Sequence, residues 1–399
     1  MSAEPAAPIE FRRLAVLIAA NFVDMLGFAM VLPLLPFYAL DMRASPVLIG
    51  WIIASYSIAQ LAAAPLWGRF SDRYGRRPAL LIGLLGSALA FLIFGLAHSI
   101  WMLFLSRVVQ GASGGTTGVA QAYVADTVRP ADRARALGWL SAATSAGVMI
   151  GPAVGSLAAH WGQAAPGFVA AGLCLLNVIF AWRLLPESRH PGAEPPERRP
   201  VWHGAWQVAR HPGLPISRLT WIYGAGMLAF TALNSVFALF LEAEHGITAQ
   251  TIGYFYAFIG ALSLVMRLAF LGPVVDRVGE QWAMRLGALS LALGMLLYPL
   301  AGRLAVLVAV MPLVPIGTAL LFPATTALMS RHSDRRELGT VMGTAQTFAG
   351  MARVIAPLVA TAAFQRIGHG APFWLAALVV LFVSLLAARL RPVGDPAAA

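Results

Sequence analysis

A chain of 399 residues with 59% hydrophobic and only 11% charged side chains lies far from soluble domains, in which about 25% of residues are charged, so lipid is the solvent for most of it. The formal charge of +11 does not mark a nucleic-acid binder, because the basic residues are dispersed between apolar runs and form no stripe with interleaved aromatics. The single cysteine, Cys174, excludes a disulfide framework and a cysteine-ligated metal site within one chain. No GxxxxGK[ST] loop and no HExxH cluster stands in the sequence to support ATP hydrolysis or a metalloenzyme.

Arg12 and Arg13 precede an apolar run from Leu14 to Leu40 with no small-residue cleavage site, which predicts a first membrane helix and not a removable signal. Apolar runs between charged or turn-rich breaks predict helices over 13–36, 47–67, 79–98, 100–122, 135–157, 166–185, 215–241, 250–271, 282–301, 304–326, 338–363 and 372–391. Each is near the ~20 residues that cross the hydrocarbon core. With the N-terminus inside, 22 of the 28 arginines fall on the inner side, three (Arg43, Arg303, Arg366) outside and three within helices. That asymmetry predicts an inner-membrane protein with both termini cytoplasmic. The hydrophilic segment from Glu187 to Pro212 predicts a flexible linker. The expected fold is therefore an all-α membrane protein of twelve transmembrane helices in two pseudo-symmetric six-helix bundles, residues 1–185 and 214–399, joined by a cytoplasmic linker at 186–213.

The halves repeat. Gly68, Asp72, Arg73 and Gly75 recur as Gly272, Asp276, Arg277 and Gly279, each displaced by 204 residues. Ile49-Gly50 recurs as Ile252-Gly253 and Asp132-Arg133 as Asp334-Arg335. The matches are colinear and equally oriented, which predicts parallel repeats about an axis along the membrane normal and a substrate site at the midplane between them.

Between the second and third helices stands Gly68-Arg69-Phe70-Ser71-Asp72-Arg73-Tyr74-Gly75-Arg76-Arg77-Pro78. Its glycines allow a tight reversal, its arginines hold the loop at the inner surface, and Asp72 can face the positive end of a nearby helix. A positive-inside loop explains the arginines but not the Gly and Asp positions. The stretch resembles the signature loop of the major facilitator superfamily, above all the tetracycline-type branch of its drug:proton antiporters with twelve helices. Further likenesses follow in order. Asp24-Met25-Leu26-Gly27 with Pro33 and Pro36 resembles the first-helix motif, and Arg107-Val108-Val109-Gln110-Gly111 resembles the fourth-helix motif whose buried arginine is linked to proton transfer. The run from Gly147 to Gly155, with Gly151 and Pro152, resembles the fifth-helix motif of exporters. Gln60 matches the tetracycline branch, whereas Ala90, Ser263 and Arg267 stand where that branch has an acidic residue, a histidine and a glutamine. These departures set tetracycline itself apart from what the resemblance implies.

The intramembrane charges carry the functional expectation. Asp24 lies about ten residues into the first helix, roughly 15 Å deep. An ionised carboxylate there costs about 2.5–3.5 kcal/mol, so it is expected to face the bundle cavity or an arginine. Arg107, near the middle of the fourth helix, is the expected partner or modulator of its protonation; for each residue a satisfied structural charge is the alternative. Arg353 stands between substrate contact and packing, and Arg267 is close enough to a helix end to snorkel. Three positive charges against one negative predict a preference for zwitterions or anions over lipophilic cations. Tyr56, Gln60, Phe230, Asn234, Phe258 and Arg353 are the candidate cavity residues, with core or lipid-facing positions as the alternative for the aromatics. Gly147, Gly151 and Gly155 fall on one helical face that permits close approach, and Pro152 can kink the helix.

Together these features predict proton-coupled efflux of small amphiphilic molecules, multidrug or antibiotic-like, by a monomer in the lipid bilayer. No enzyme activity, cofactor, metal or nucleic acid is expected. Asp24 and Arg107 carry the proton; Gly68, Asp72, Arg73, Gly75, Arg76, Asp276 and Arg277 form conformational latches. A dedicated exporter of one metabolite, natural product or siderophore remains open, as does a non-transporting membrane sensor.

Overall fold

The computed structural model of the protein describes residues 11–129, 132–188, 206, 208, 210–333 and 337–388. The recurrence at Asp334-Arg335 and most of the expected linker lie outside them. Among the described residues there are helices and turns and no strand. Nine helical stretches among them are long and apolar enough to cross a membrane. Backbone polar groups cannot stay unpaired in hydrocarbon, and a helix satisfies its own.

The chain divides into two compact units. The first comprises Met1–Ala44, Ser55–Pro196 and Thr248–Ala257, and the second Ser45–Ala54, Glu197–Ile247 and Phe258–Ala399.

In the first unit, α1 (Phe11–Val31) turns at 32–34 into α2 (Leu35–Asp41), with Pro36 in the opening turn of the new helix. Helix α3 (Pro46–Tyr74), whose residues up to Ala54 belong to the second unit, and α4 (Arg76–Gly95) are separated by Gly75 alone. The next apolar run, expected as one helix, is two: α5 (Ile100–Ser113) and α6 (Thr116–Thr127), parted at Gly114-Gly115. Helix α7 (Arg133–Ala159) lies along α1, and α8 (Ala165–Leu184) packs on α1 and α4. Leu14, Leu17, Leu80, Val119, Tyr123, Leu140 and Leu185 form the buried core beneath these helices.

The second unit contains α9 (Pro215–His245), α10 (Ile252–Val265), a π-helical turn (Met266–Phe270), α11 (Leu271–Leu297), α12 (Leu304–Val310), α13 (Leu313–Arg331), α14 (Leu338–Arg366) and α15 (Ala371–Ala388). The first residues of α10, up to Ala257, belong to the first unit. Gly246 closes α9 in the left-handed conformation, φ 64°, with Gly246 N–H on Glu242 O and Ile247 N–H on Leu241 O, the paired bonds that satisfy a helix's last carbonyls. Phe237, Tyr298, Phe240 and Phe373 fill the core, and the Tyr298 hydroxyl donates to Met311 O at 3.0 Å.

Three expectations change here. The signature segment is not an open loop, because α3 stays helical through Gly68, Asp72 and Arg73, and the reversal falls on Gly75. Hydropathy ends a span where charge begins, whereas the backbone has no reason to unwind there. The run 250–271 passes through a π-helical turn holding Arg267, an irregularity no hydropathy pattern encodes. The third is the broken fourth run.

The internal repeat has a backbone counterpart. Gly75 takes φ 102°, ψ 164° and Gly279 takes φ 78°, ψ 162°, a region that a side chain strongly disfavours. Gly50 and Gly253 correspond likewise. A Cβ on Gly50 would meet Thr361 and the Pro357 carbonyl within the second unit, and one on Gly253 would meet Ser156 and the Pro152 carbonyl within the first.

Candidate functional site

The break in the fourth run builds the site. Glycine lacks the side-chain contacts that hold a membrane helix together, and at Gly114-Gly115 the chain closes with short turns, Gly114 N–H to Gly111 O at 3.0 Å and Gly115 N–H to Ser113 O at 2.9 Å. Gln60 Nε2, on α3, donates to the half-buried Gly114 carbonyl at 3.4 Å. Helix α6 then restarts at Thr116, leaving an amino end with free N–H groups inside the unit.

Asp24 on α1 sits at that amino end. It is 6% exposed, and its Oδ2 accepts a 2.8 Å hydrogen bond from Thr116 Oγ1. Ser87, on α4, supplies a further side-chain hydrogen bond. Helix amino ends favour negative charge, so α6 is a fixed dipole aimed at this carboxylate. Beside it lies a cavity of about 10 Å³ bounded by Asn21, Asp24, Thr116, Leu80, Leu84 and Leu185, with an apolar exposed lining. Asn21 is itself held by its amide, which donates to Leu140 O at 3.2 Å and Thr144 Oγ1 at 2.5 Å on α7. The site thus holds one buried carboxyl group and two hydroxyl partners, a group able to take up and release a proton.

Arg107 is not Asp24's ion-pair partner in this structure. It sits on α5, nine residues before Thr116 and across the break, so roughly 13 Å of helix rise separates them. Its guanidinium is 1% exposed and lies over the Phe94 ring, 5.6 Å from the centroid. None of its three nitrogens has a hydrogen-bond partner among the described residues. Charge type suggested the pairing, but the helix break decides which face each residue takes.

The charged end of the first unit is tied by a separate network. Arg76 Nη1 donates to Asp72 Oδ1 at 2.7 Å and to Ser71 Oγ at 2.9 Å, while its Nε donates to Asp126 Oδ2 at 2.8 Å. Glu187 caps α4: Oε1 accepts from Arg76 N–H at 2.8 Å and Oε2 from Arg77 N–H at 3.1 Å. That carboxylate lies over Gly75, where a Cβ would come within 2.4 Å of it. Arg73 lies over Tyr74, 5.5 Å from the ring centroid, and Asp276 and Arg277 are exposed.

The glycines of α7 do what their spacing implies. Added Cβ atoms on Gly147, Gly151 and Gly155 would meet Phe22 O at 2.6 Å, Ala29 Cβ at 2.6 Å and Met30 O at 2.4 Å, all on α1. Pro152, between them, is buried within the helix. The candidate cavity residues separate by unit. Tyr56 packs on Phe28 at 5.1 Å and accepts from Gln60 at 3.2 Å in the first. In the second, Phe230 packs on Phe322 at 6.2 Å and Asn234 donates to Phe230 O at 2.7 Å. Phe258 is exposed and Arg353 half-buried.

Sequence reasoning missed Thr116, Ser87, Asn21, Asp126 and Glu187. Thr116 carried a signal, as a hydroxyl directly after a double glycine within an apolar run. Glu187 was assigned to the linker, and neutral Ser87 drew no notice among apolar neighbours.

Apolar helices sufficient for several crossings, a polar cluster inside one unit and a repeated architecture define a multi-pass membrane transporter. The comparisons make this specific. The family model described as Major Facilitator Superfamily matches residues 17–270 and 219–399, and the chain belongs to that family; it is a transporter and not an enzyme. It is 32% identical over 368 residues to the tetracycline resistance protein, class C, of Escherichia coli, covering 88% of this chain and 89% of that protein. It is 30% identical over 378 residues to multidrug resistance protein 1 of Bacillus subtilis (strain 168), covering 92% and 93%. The crystal structure of the human organic anion transporter MFSD10 (TETRAN) matches at a TM-score of 0.70 with 23% identity, covering 96% of this chain and all of that one. That of the nucleoside transporter NupG matches at 0.78 with 14% identity, covering 94% and 98%. These two show the fold. The family and the tetracycline-type resemblance expected from the signature segment are borne out.

Proposed function

We propose that this chain is a proton-coupled exporter of small amphiphilic molecules, of multidrug or antibiotic type, working by alternating access between six-helix bundles at 1–185 and 214–399. Twelve crossings, a cytoplasmic linker at 186–213, cytoplasmic termini, an inner-membrane location and a monomeric state belong to the same reading. The observation that supports it most is Asp24, a carboxyl group buried at the amino end of a broken helix between two hydroxyls. With the carboxylate ionised, Thr116 and Ser87 donate to it and α6 favours its charge. With the proton on, the charge is gone, and the balance between the two arrangements of the bundles shifts. Proton entry releases about 2.3 kcal/mol per 100 mV and about 1.36 kcal/mol per pH unit, enough to drive export against a gradient. In this reading Asp72 and Asp276, with Arg73, Arg76 and Arg277, act as latches that stabilise one arrangement. Arg107 modulates the proton site.

Relatives named for tetracycline and for multidrug resistance support an efflux substrate. Ala90 is fully buried where the tetracycline branch has an acidic residue, which favours compounds other than tetracycline and keeps a dedicated metabolite exporter as the second reading.

Everted membrane vesicles energised to acidify their lumen provide the test, with a luminal pH dye reporting proton release. Addition of unrelated amphiphiles is expected to discharge the gradient in vesicles containing the protein. Discharge by one compound class alone selects the dedicated exporter, and no discharge across a broad panel overturns proton-coupled export.

A further inference from the structure

Arg107 makes no hydrogen bond or ion pair with Asp24 and is an unfinished structure. A guanidinium carries five N–H donors and stays charged at every accessible pH. Here it is 1% exposed, with Nε, Nη1 and Nη2 all lacking a partner among the described residues. The Phe94 ring at 5.6 Å supplies cation–π attraction but accepts none of these hydrogen bonds in their own plane. A buried, unpaired charge is among the most destabilising features a core can hold. Two carboxylates elsewhere in the unit are otherwise engaged: Asp24 accepts from Thr116, and Asp41, at the end of α2, accepts from Gln163 Nε2 at 3.2 Å.

Two further orphans occur in the same part of the unit. Tyr38 on α2 stacks on the same Phe94 ring, centroids 5.4 Å apart, and its buried hydroxyl has no partner among the described residues. Gln110, one turn beyond Arg107 on α5, has a buried Oε1 in the same state. Arg107 and Tyr38 offer donors to an acceptor, and Gln110 asks for a donor. A hydrated halide answers all three, as does a carboxylate carried beside a hydroxyl or a water.

We infer that the cluster of buried, unpartnered groups on Arg107, Tyr38 and Gln110 of the first unit binds a monovalent anion, either a small inorganic anion or the carboxylate of a transported compound. This goes beyond proton coupling, since such a cluster recognises negative charge whether or not a proton moves.

The test uses the purified full-length protein in detergent, following thermal unfolding in sodium chloride, sodium benzoate or a bulky sulfonate at equal ionic strength. A saturable rise of about 3 °C at a concentration tenfold above Kd is expected. A rise with both chloride and benzoate assigns a small-anion site, and a rise with benzoate alone assigns the carboxylate of a substrate. Arg107→Gln is expected to abolish the shift. Should that variant fail to purify, Arg107→Lys keeps the charge but loses the planar fork, and is expected to raise the half-saturating concentration about tenfold. Equal unfolding temperatures in all three salts, or variants that respond as the parent does, overturn the proposal. Because no flux is measured, that outcome leaves proton-coupled export standing.

Discussion

Glu280 pairs with Arg331 at 2.8 Å, in the place where the first repeat pairs Arg76 with Asp126 at 2.8 Å, with the signs of the two charges exchanged. Each pair follows a positive-φ glycine, Gly75 or Gly279, by one residue. The two contacts have opposite polarity, and each supplies attraction between the helices it joins. Because Arg331 is 63% exposed at its side chain, Glu280→Arg is expected to cost only about 0.5–1 kcal/mol. Adding Arg331→Glu should restore the parent's unfolding temperature. A double variant no more stable than the single one contradicts the pairing.

Arg76 is a stronger case, since its side chain and that of Asp72 are both 10% exposed. Arg76→Ala removes a shared guanidinium from two carboxylates at once. A loss of about 3 kcal/mol is expected, read as a lower unfolding temperature of the purified protein, and Arg76→Lys should recover only part of it because an ammonium cannot bridge both carboxylates as a fork does.

Glu187 joins the end of the first unit to α4 by two backbone N–H groups. Glu187→Ala removes the cap and is expected to cost about 1 kcal/mol. Gly75→Ala should cost more, since it adds left-handed strain to a collision with the same carboxylate. Comparing the two by thermal unfolding tests the order.

The glycine face of α7 gives a contrast within one protein. Gly151→Val places branched carbons where Ala29 already stands and is expected to abolish folded protein in the membrane, judged by monodisperse elution after extraction. Gly118 in α6 has nothing within 4 Å of an added Cβ. Gly118→Ala is therefore expected to be neutral or to gain up to about 1 kcal/mol from helix propensity.

Much of this architecture was legible because lipid enforces simple rules. Apolar runs had to be helices, and the 204-residue displacement from Gly75 to Gly279 reappears as matched backbone angles. The glycine stripe of α7 was readable for the same reason, as close packing is one of the few forces between helices in lipid. What escaped was set by three-dimensional register. The kink at Gly114-Gly115 turns Thr116 toward Asp24 and leaves Arg107 elsewhere, and a list of charges does not contain that rotation. Likewise α3 runs on through Asp72, where hydropathy placed a loop, and Glu187 reaches back across more than a hundred residues to cap α4.

Thr116 links the break to the proton site and can be tested without touching the carboxyl group. Thr116→Val keeps the shape and removes the 2.8 Å hydrogen bond. Gradient-driven export is expected to fall about tenfold, in line with the loss of a hydrogen bond to a charged group, while protein yield holds. Thr116→Ser should restore most of it, and equal transport by the valine variant contradicts the role given to this hydroxyl.

Asp24→Asn in proteoliposomes, with an imposed pH gradient and a transported dye as probe, measures the coupling directly. The substitution keeps the size of the side chain and removes its exchangeable proton. We expect a correctly inserted, monodisperse protein that no longer moves dye in response to the gradient and no longer moves protons in response to dye. Gradient-driven export at the parent's rate by Asp24→Asn would contradict the assignment of Asp24 as the proton carrier.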